Sequence, residues 1–163
     1  MSEFYQVRVD QTHHVFSAAH FITVEGNVCE RLHGHNYRVW VEVDGELGRN
    51  QYVIDFIALN QAVESVIGQL DHHTLLPTLH PVMCVVAGER EVEVRFSDRR
   101  WLFPRGDCVL LPISNTTTEL IARHIAHCLL DDLQQRIGAR PRRLRVGVDE
   151  NHGQWGICEL RDE

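Results

Sequence analysis

The sequence predicts a single α+β domain. Three observations predict it: two amphipathic helical patterns, extended patterns on both sides of them, and strands that follow one another directly along the chain. Strands adjacent in sequence pair antiparallel by default. The predicted order is β-β-α-insert-α-β-β, and 163 residues suit one domain with a real core. The domain is expected to span 1–163, with an inserted β-hairpin at about 76–111.

Residues 4–20 read as an extended segment whose alternation breaks near His13-His14, where a bulge or bend is expected. Over 36–44 the alternation is regular. Tyr37, Val39, Val41 and Val43 share one face, and Arg38, Trp40 and Glu42 the other. Asp55 is placed to cap a helix whose stripe is Phe56, Leu59, Val63, Val66, Ile67 and Leu70, ending near Asp71-His72-His73. In the insert, Val92, Val94 and Phe96 alternate with Glu91, Glu93 and Arg95. Turn signals at Ser97-Asp98 and at Pro104 to Asp107 divide it into two or three short strands. Thr116 and Glu119 form a T-x-x-E capping box that opens a second helix. Its stripe is Ile121, Ile125, Leu129 and Leu133. It stops around Gly138, and Pro141 bars continuation. Strands at 142–150 and 154–160 close the domain.

Composition excludes some partners. The net charge of −7 argues against a nucleic-acid surface, which needs clustered positive charge. The chain has no Lys, so an anionic ligand would be held by Arg or by backbone N–H groups. Cysteines at 29, 84, 108, 128 and 158 are odd in number, with no C-x-x-C pair. With no N-terminal signal pattern, they point to free thiols and a cytoplasmic setting. No apolar run approaches the roughly 18 residues of a membrane span.

The stretch CERLHGHNY, residues 29–37, carries the densest chemistry. On a strand, His33 and His35 point the same way, and Gly34 between them crowds nothing. His20, at the end of SAAH, is the leading third ligand from a neighbouring strand. Three neutral imidazoles leave one tetrahedral position open, as in catalytic zinc sites. The plain alternative is a polar strand end, since eleven His in one chain give close pairs by chance. Glu150 has the parity of Leu144, Val146 and Val148, so it falls either on an apolar face or at an exposed strand end before the turn at Asn151.

Six segments together resemble the 6-pyruvoyl-tetrahydropterin synthase and 6-carboxytetrahydropterin synthase family. They are FSAAH at 16–20, CERLHGHNY at 29–37, IDF at 54–56, QLDHHTL at 69–75, NTTTEL at 115–120 and RVGVDE at 145–150. The three residues between Cys29 and His33 resemble the carboxytetrahydropterin branch. The resemblance implies a T-fold: antiparallel ββααββ subunits whose strands join into an oligomeric barrel. It implies a homo-oligomer, usually a hexamer, with active sites between subunits. It further implies Zn2+ held by His20, His33 and His35, with 7,8-dihydroneopterin triphosphate as substrate.

The same resemblance assigns roles. Cys29 is the general base, its plain alternative being a small buried hydrophobe. The other four cysteines fall in that second class. Asp71 and His72 form a proton relay set against Cys29, or else simply a helix end. Glu150 accepts a fork of donors from the pterin, and Thr117, or Thr118 beside it, lines the same pocket. Arg31, Arg38, Arg140, Arg142, Arg143 and Arg145 are candidates for triphosphate, or a solvated charged face. The expected product is 6-carboxy-5,6,7,8-tetrahydropterin, with acetaldehyde and triphosphate, in a queuosine-type pathway. The alternatives are a pyruvoyl-tetrahydropterin synthase of the tetrahydrobiopterin type and a pterin-binding T-fold protein without turnover. Thr116 and Asn151 stand where the family usually has Pro and Thr, and the insert is longer than usual.

Overall fold

The computed structural model describes residues 3–25, 28–138 and 140–162. Alternating apolar residues along β5 (His33–Gly45) make it the spine of a seven-stranded sheet. One side of β5 carries, end to end, β1 (Tyr5–Val9) and β2 (Val15–His20). The bend expected at His13-His14 lies between them, closed by the His14 N–H donating to the Gln11 carbonyl at 3.0 Å. On its other side β5 pairs antiparallel with β11 (Arg143–Asp149), and β11 with β12 (Trp155–Arg161). Beyond β2 lie β6 (His73–Pro77) and β10 (Cys108–Leu111).

The sheet is mixed, where a purely antiparallel one was expected. β6 runs parallel to β2 and to β10. The reason is connectivity. β5 reverses the direction of β2, and the passage through α1 (Phe56–Gly68) reverses it again, so β6 runs with β2; the insert then brings the chain back along β6 as β10. The expected insert hairpin is instead a three-stranded antiparallel sheet: β7 (Cys84–Ala87), β8 (Glu91–Phe96) and β9 (Arg99–Pro104). Its extra strand pairs with β8, whose buried Val92, Val94 and Phe96 join Phe21, Leu76 and Met83 in a second apolar cluster. The remaining two-residue strands, β3 (Thr23–Val24) and β4 (Val28–Cys29), form a small ladder ahead of β5.

Both helices cover one face of the main sheet. Phe16, Tyr37, Val41, Val146 and Val148 meet Leu59 and Val63 of α1 and Ile121, Ile125 and Leu129 of α2 (Thr118–Ile137). All are buried, at roughly 1.5–3 kcal/mol per large side chain. Asp55 caps α1 as expected, accepting from the Ile57 N–H at 3.1 Å. The capping box at Thr116 does not form. Thr116 is buried and its hydroxyl donates to the Phe21 carbonyl at 3.1 Å, so α2 starts later, with Thr117 at the N-cap. Gly138 ends α2 in the left-handed region, φ 64°.

The opposite face of β5 was expected to be polar, yet Trp40 and Glu42 are buried there. Arg145 donates to Glu42 at 2.7 Å, while Arg143 reaches Asp44 at 2.7 Å and Glu159 at 2.8 Å. Gly147 is required opposite Trp40, because a Cβ there would sit 2.2 Å from the indole Nε1. These pairs occupy Arg143 and Arg145, two of the arginines considered for triphosphate. Arg142 pairs with Glu46 and Arg140 with Asp162. Arg31 is exposed beside the histidine stretch.

Candidate active site

Strand register brings the histidines together. His20 lies opposite His33 and Ala18 opposite His35, so the side chains of His20, His33 and His35 share one face. Their ring centroids are 4.7 Å (His20–His33), 4.9 Å (His33–His35) and 5.2 Å (His20–His35) apart. One ligand atom from each lies within 4.8 Å of the others. This is the helix-covered face, at the end of the core where Tyr37 packs against both His20 and His35.

Tautomers are set by backbone carbonyls. His20 Nδ1 lies 2.9 Å from the Thr116 carbonyl oxygen, and His33 Nδ1 2.8 Å from that of Arg31. A carbonyl only accepts, so each Nδ1 carries the proton and each Nε2 presents a lone pair. The buried Nε2 atoms of His20 and His35 have no hydrogen-bond partner among the described residues. Burial foremost pulls the His20 imidazole down to about 4, with the Thr116 carbonyl opposing and His33 and His35 adding to the effect. Neutral rings with free, converging lone pairs are the donor set a divalent metal requires, so these residues fit such an ion.

Neighbouring elements hold this geometry. Asn115, just before α2, exchanges hydrogen bonds with the Thr23 backbone at 3.2 and 3.0 Å and also accepts from the Thr116 N–H. These bonds fix β3, just past the end of β2, against the start of α2. Thr117, half-buried at the N-cap, is thereby placed next to the carbonyl that orients His20.

Cys29 is half-buried at the end of β4, against the apolar cluster under the three-stranded sheet. Burial pushes its thiol up, and the Arg99 guanidinium opposes that. Arg99 also donates to the carbonyls of Cys29 at 2.6 Å and Glu30 at 3.2 Å, while stacking on Trp101. Glu30 brings its carboxylate to 3.9 Å from His33 Nε2.

Asp71 and His72 form a pair, Nδ1 to Oδ2 2.8 Å. Asp71 also accepts from the Ser17 N–H at 2.7 Å, and that bond with His72 holds its carboxyl below the usual range. His72 is held in the left-handed region, φ 58°, by its own N–H donating to the Ser17 carbonyl. Its ring borders an open cleft of about 480 Å³ with Ser17, Ala19, Gly34, Asn36 and Thr74. Those strand residues have the opposite parity to His20, His33 and His35, so the cleft lies mainly on the other face of the sheet, although Ala18 and His35 also line it. Among the described residues neither Asp71 nor His72 hydrogen-bonds Cys29 or the three histidines.

Glu150 directly follows β11 and is half-buried. Val148 pairs with Val39 and Asp149 with Arg38, so Glu150 comes level with Tyr37. Its charge acts on the Tyr37 hydroxyl, which burial above all pushes up and which has no hydrogen-bond partner among the described residues. Glu150 therefore sits over the same end of the core as the histidines. Asp149, rather than Glu150, is the fully buried carboxylate. It accepts from the N–H groups of Asn151, Gly153 and Gln154 and so builds the turn.

The 6-pyruvoyl tetrahydropterin synthase family model matches residues 10–161, a span that includes every residue of this site. The chain belongs to the 6-pyruvoyl tetrahydropterin synthase family. A protein of Methanocaldococcus jannaschii, provisionally named a 6-carboxy-5,6,7,8-tetrahydropterin synthase, is 31% identical over 144 residues, 88% of this chain and 87% of its own length. A 6-pyruvoyl tetrahydropterin synthase structure from Plasmodium vivax superposes with a TM-score of 0.89 at 30% identity, covering 99% of this chain and 100% of that one. A variant of the P. vivax enzyme replaces a glutamate described as a catalytic residue. A dihydroneopterin monophosphate aldolase of Pyrococcus furiosus is 42% identical over 60 residues, 37% of this chain and 50% of its own.

These solved structures give the tetrahydropterin synthase family its T-fold, and the chain shares it. Sequence reasoning missed Arg99, Asn115 and Tyr37 as parts of the site. Tyr37 was read as core, which it also is. Arg99 lies 70 positions from Cys29, and no local pattern signals a contact across that separation.

Proposed function

We propose that this family member converts 7,8-dihydroneopterin triphosphate and water to 6-carboxy-5,6,7,8-tetrahydropterin, acetaldehyde and triphosphate, with Zn2+ as cofactor, in a queuosine-type pathway. The observation that carries the reading is the convergence of three imidazole ligand atoms at one end of the core, with a carboxylate level with Tyr37 there and a half-buried thiol four residues before His33 in sequence. A zinc ion held by His20, His33 and His35 supplies Lewis-acid polarisation of the substrate's side-chain oxygens. Cys29 takes a proton from side-chain carbon once its thiol ionises, a step that Arg99 favours. Glu150 accepts the paired N–H donors of the pterin and sets its orientation. Thr117 lines that pocket. The Asp71–His72 pair returns the proton. Because that pair opens on the other face of its own sheet, a second copy of the chain brings it to the thiol. The site is accordingly completed between subunits of a homo-oligomer, expected to be a hexamer.

A second reading is favoured by Glu30. Its carboxylate reaches the three-histidine group, a glutamate is described as catalytic in the P. vivax relative, and one relative is named an aldolase. In this reading Glu30 moves the proton, and the side chain of a dihydroneopterin phosphate is cleaved as an aldolase cleaves it. A pyruvoyl product is the third outcome, in keeping with the solved relatives' names.

Zinc-loaded protein incubated with dihydroneopterin triphosphate and analysed by mass spectrometry separates the three. A 6-carboxy product with acetaldehyde supports the first reading. A hydroxymethyl product that survives Cys29→Ala but not Glu30→Ala replaces it with the second, and a pyruvoyl product with the third.

A further inference from the structure

The bend between β1 and β2 gathers a second set of ligand-type side chains. His13 and His14 sit side by side on it, their ring centroids 4.9 Å apart and their planes at 78°. Glu64 of α1 rises to meet them, with its Oε1 3.0 Å from His13 Nε2. One ligand atom from each of the three residues lies within 4.8 Å of the others.

His14 makes this more than a surface ion pair. It is fully buried, at 0% exposure, yet neither Nδ1 nor Nε2 has a hydrogen-bond partner among the described residues. A buried polar atom left without a partner costs about 1–3 kcal/mol, and a cation bound to the ring removes one such deficit.

The surroundings hold the three groups in place. The His14 N–H closes the turn onto Gln11, and the His14 carbonyl accepts from the Val39 N–H of β5 at 2.9 Å. Glu64 follows Ala62 and Val63, which anchor α1 in the core.

We propose that His13, His14 and Glu64 form a second divalent-cation site, separate from the three-histidine group and selective for a borderline metal such as zinc. Two imidazoles disfavour magnesium and calcium, which take oxygen ligands. Two nitrogens and a carboxylate leave a fourth tetrahedral position to water. Bound there, the ion ties the β1–β2 bend to α1 and stabilises the fold by mass action.

The test titrates chelator-treated full-length protein with Zn2+, reading stoichiometry by calorimetry and by metal analysis after dialysis. Wild type is expected to bind two ions per chain. His13→Ala and Glu64→Gln, whose parent side chains are 58% and 51% exposed and not part of the core, are each expected to weaken one class of site at least tenfold. In a His33→Ala/His35→Ala background, zinc is expected still to raise Tm, and adding His13→Ala to abolish that rise. A single zinc per chain in wild type that His33→Ala/His35→Ala abolishes and His13→Ala leaves unchanged overturns the proposal. So does a second zinc that persists undiminished in a His13→Ala/Glu64→Gln double variant. A missing three-histidine site appears instead as loss of the class that His33→Ala removes, so the two metal assignments fail separately.

Discussion

Arg99 shows how much one side chain decides at the site. It ties two carbonyls next to the thiol and opposes the upward pull of burial on Cys29. Arg99→Met is expected to slow alkylation of Cys29 by iodoacetamide at neutral pH, read by peptide mass spectrometry. Turnover should fall about tenfold, the weight of a lost charge-assisted interaction. Arg99→Lys should recover part of both, since it keeps the charge but not the fork. His20 gives a pH prediction for metal-free protein. Its imidazole is pulled from 6.5 to about 4, chiefly by burial. Below 6.5 the unfolded chain takes a proton that the folded chain refuses, so stability is full above that pH and falls towards pH 4, by up to about 3 kcal/mol. Burial pulls His14, His80 and His124 in the same direction. Urea unfolding in chelator should show a lower midpoint at pH 5 than at pH 7, and a flat profile would contradict the buried neutral ring.

At the scale of elements, the two helix starts behave differently. The Asp55 carboxylate caps α1, so Asp55→Ala is expected to cost about 1 kcal/mol in chemical denaturation. At α2 the N-cap side chain makes no capping bond. Its predecessor Thr116 is instead used to hold Phe21 and, through its carbonyl, to orient His20. The capping pattern at 116–119 was therefore legible but misleading, because a tertiary contact had claimed the hydroxyl. The pattern at Asp55 met no such competitor and read correctly. The insert illustrates the same limit. Alternation and turn signals showed β8 and its local hairpin pairing with β7 and β9, but the docking of their sheet over Cys29 depends on partners far away in sequence.

For the whole molecule, the positions of Asp71 and His72 carry the consequence. They border a cleft that lies mainly on the face opposite the histidines and is lined in part by His35, and several large apolar side chains, Phe56, Ile57 and Leu79 among them, stay exposed on the single chain. Exposed apolar surface of this kind marks interfaces. If copies complete one another's sites, inactive Cys29→Ala and inactive His72→Ala proteins should regain measurable turnover when unfolded together and refolded as a mixture. Native mass spectrometry should show the mixed oligomers, with a hexamer expected. Mixed oligomers without recovered activity would place the relay and the thiol in the same subunit.

The sequence by itself determined the α+β class, both helices and, except for the exposed Phe56, their buried stripes, the pairing strands at the two ends, and the imidazoles of His33 and His35 on one face. Each of these follows from a period of 2.0 or 3.6, which is local. Tertiary structure alone decided that His20 stands opposite His33, that β6 runs parallel to β2, and that Arg143 and Arg145 are held by the buried carboxylates of Asp44 and Glu42. It also set Arg99 against the Cys29 and Glu30 carbonyls and left His14 buried with no hydrogen-bond partner among the described residues. Those outcomes depend on register and crossover between distant segments, which no local period encodes.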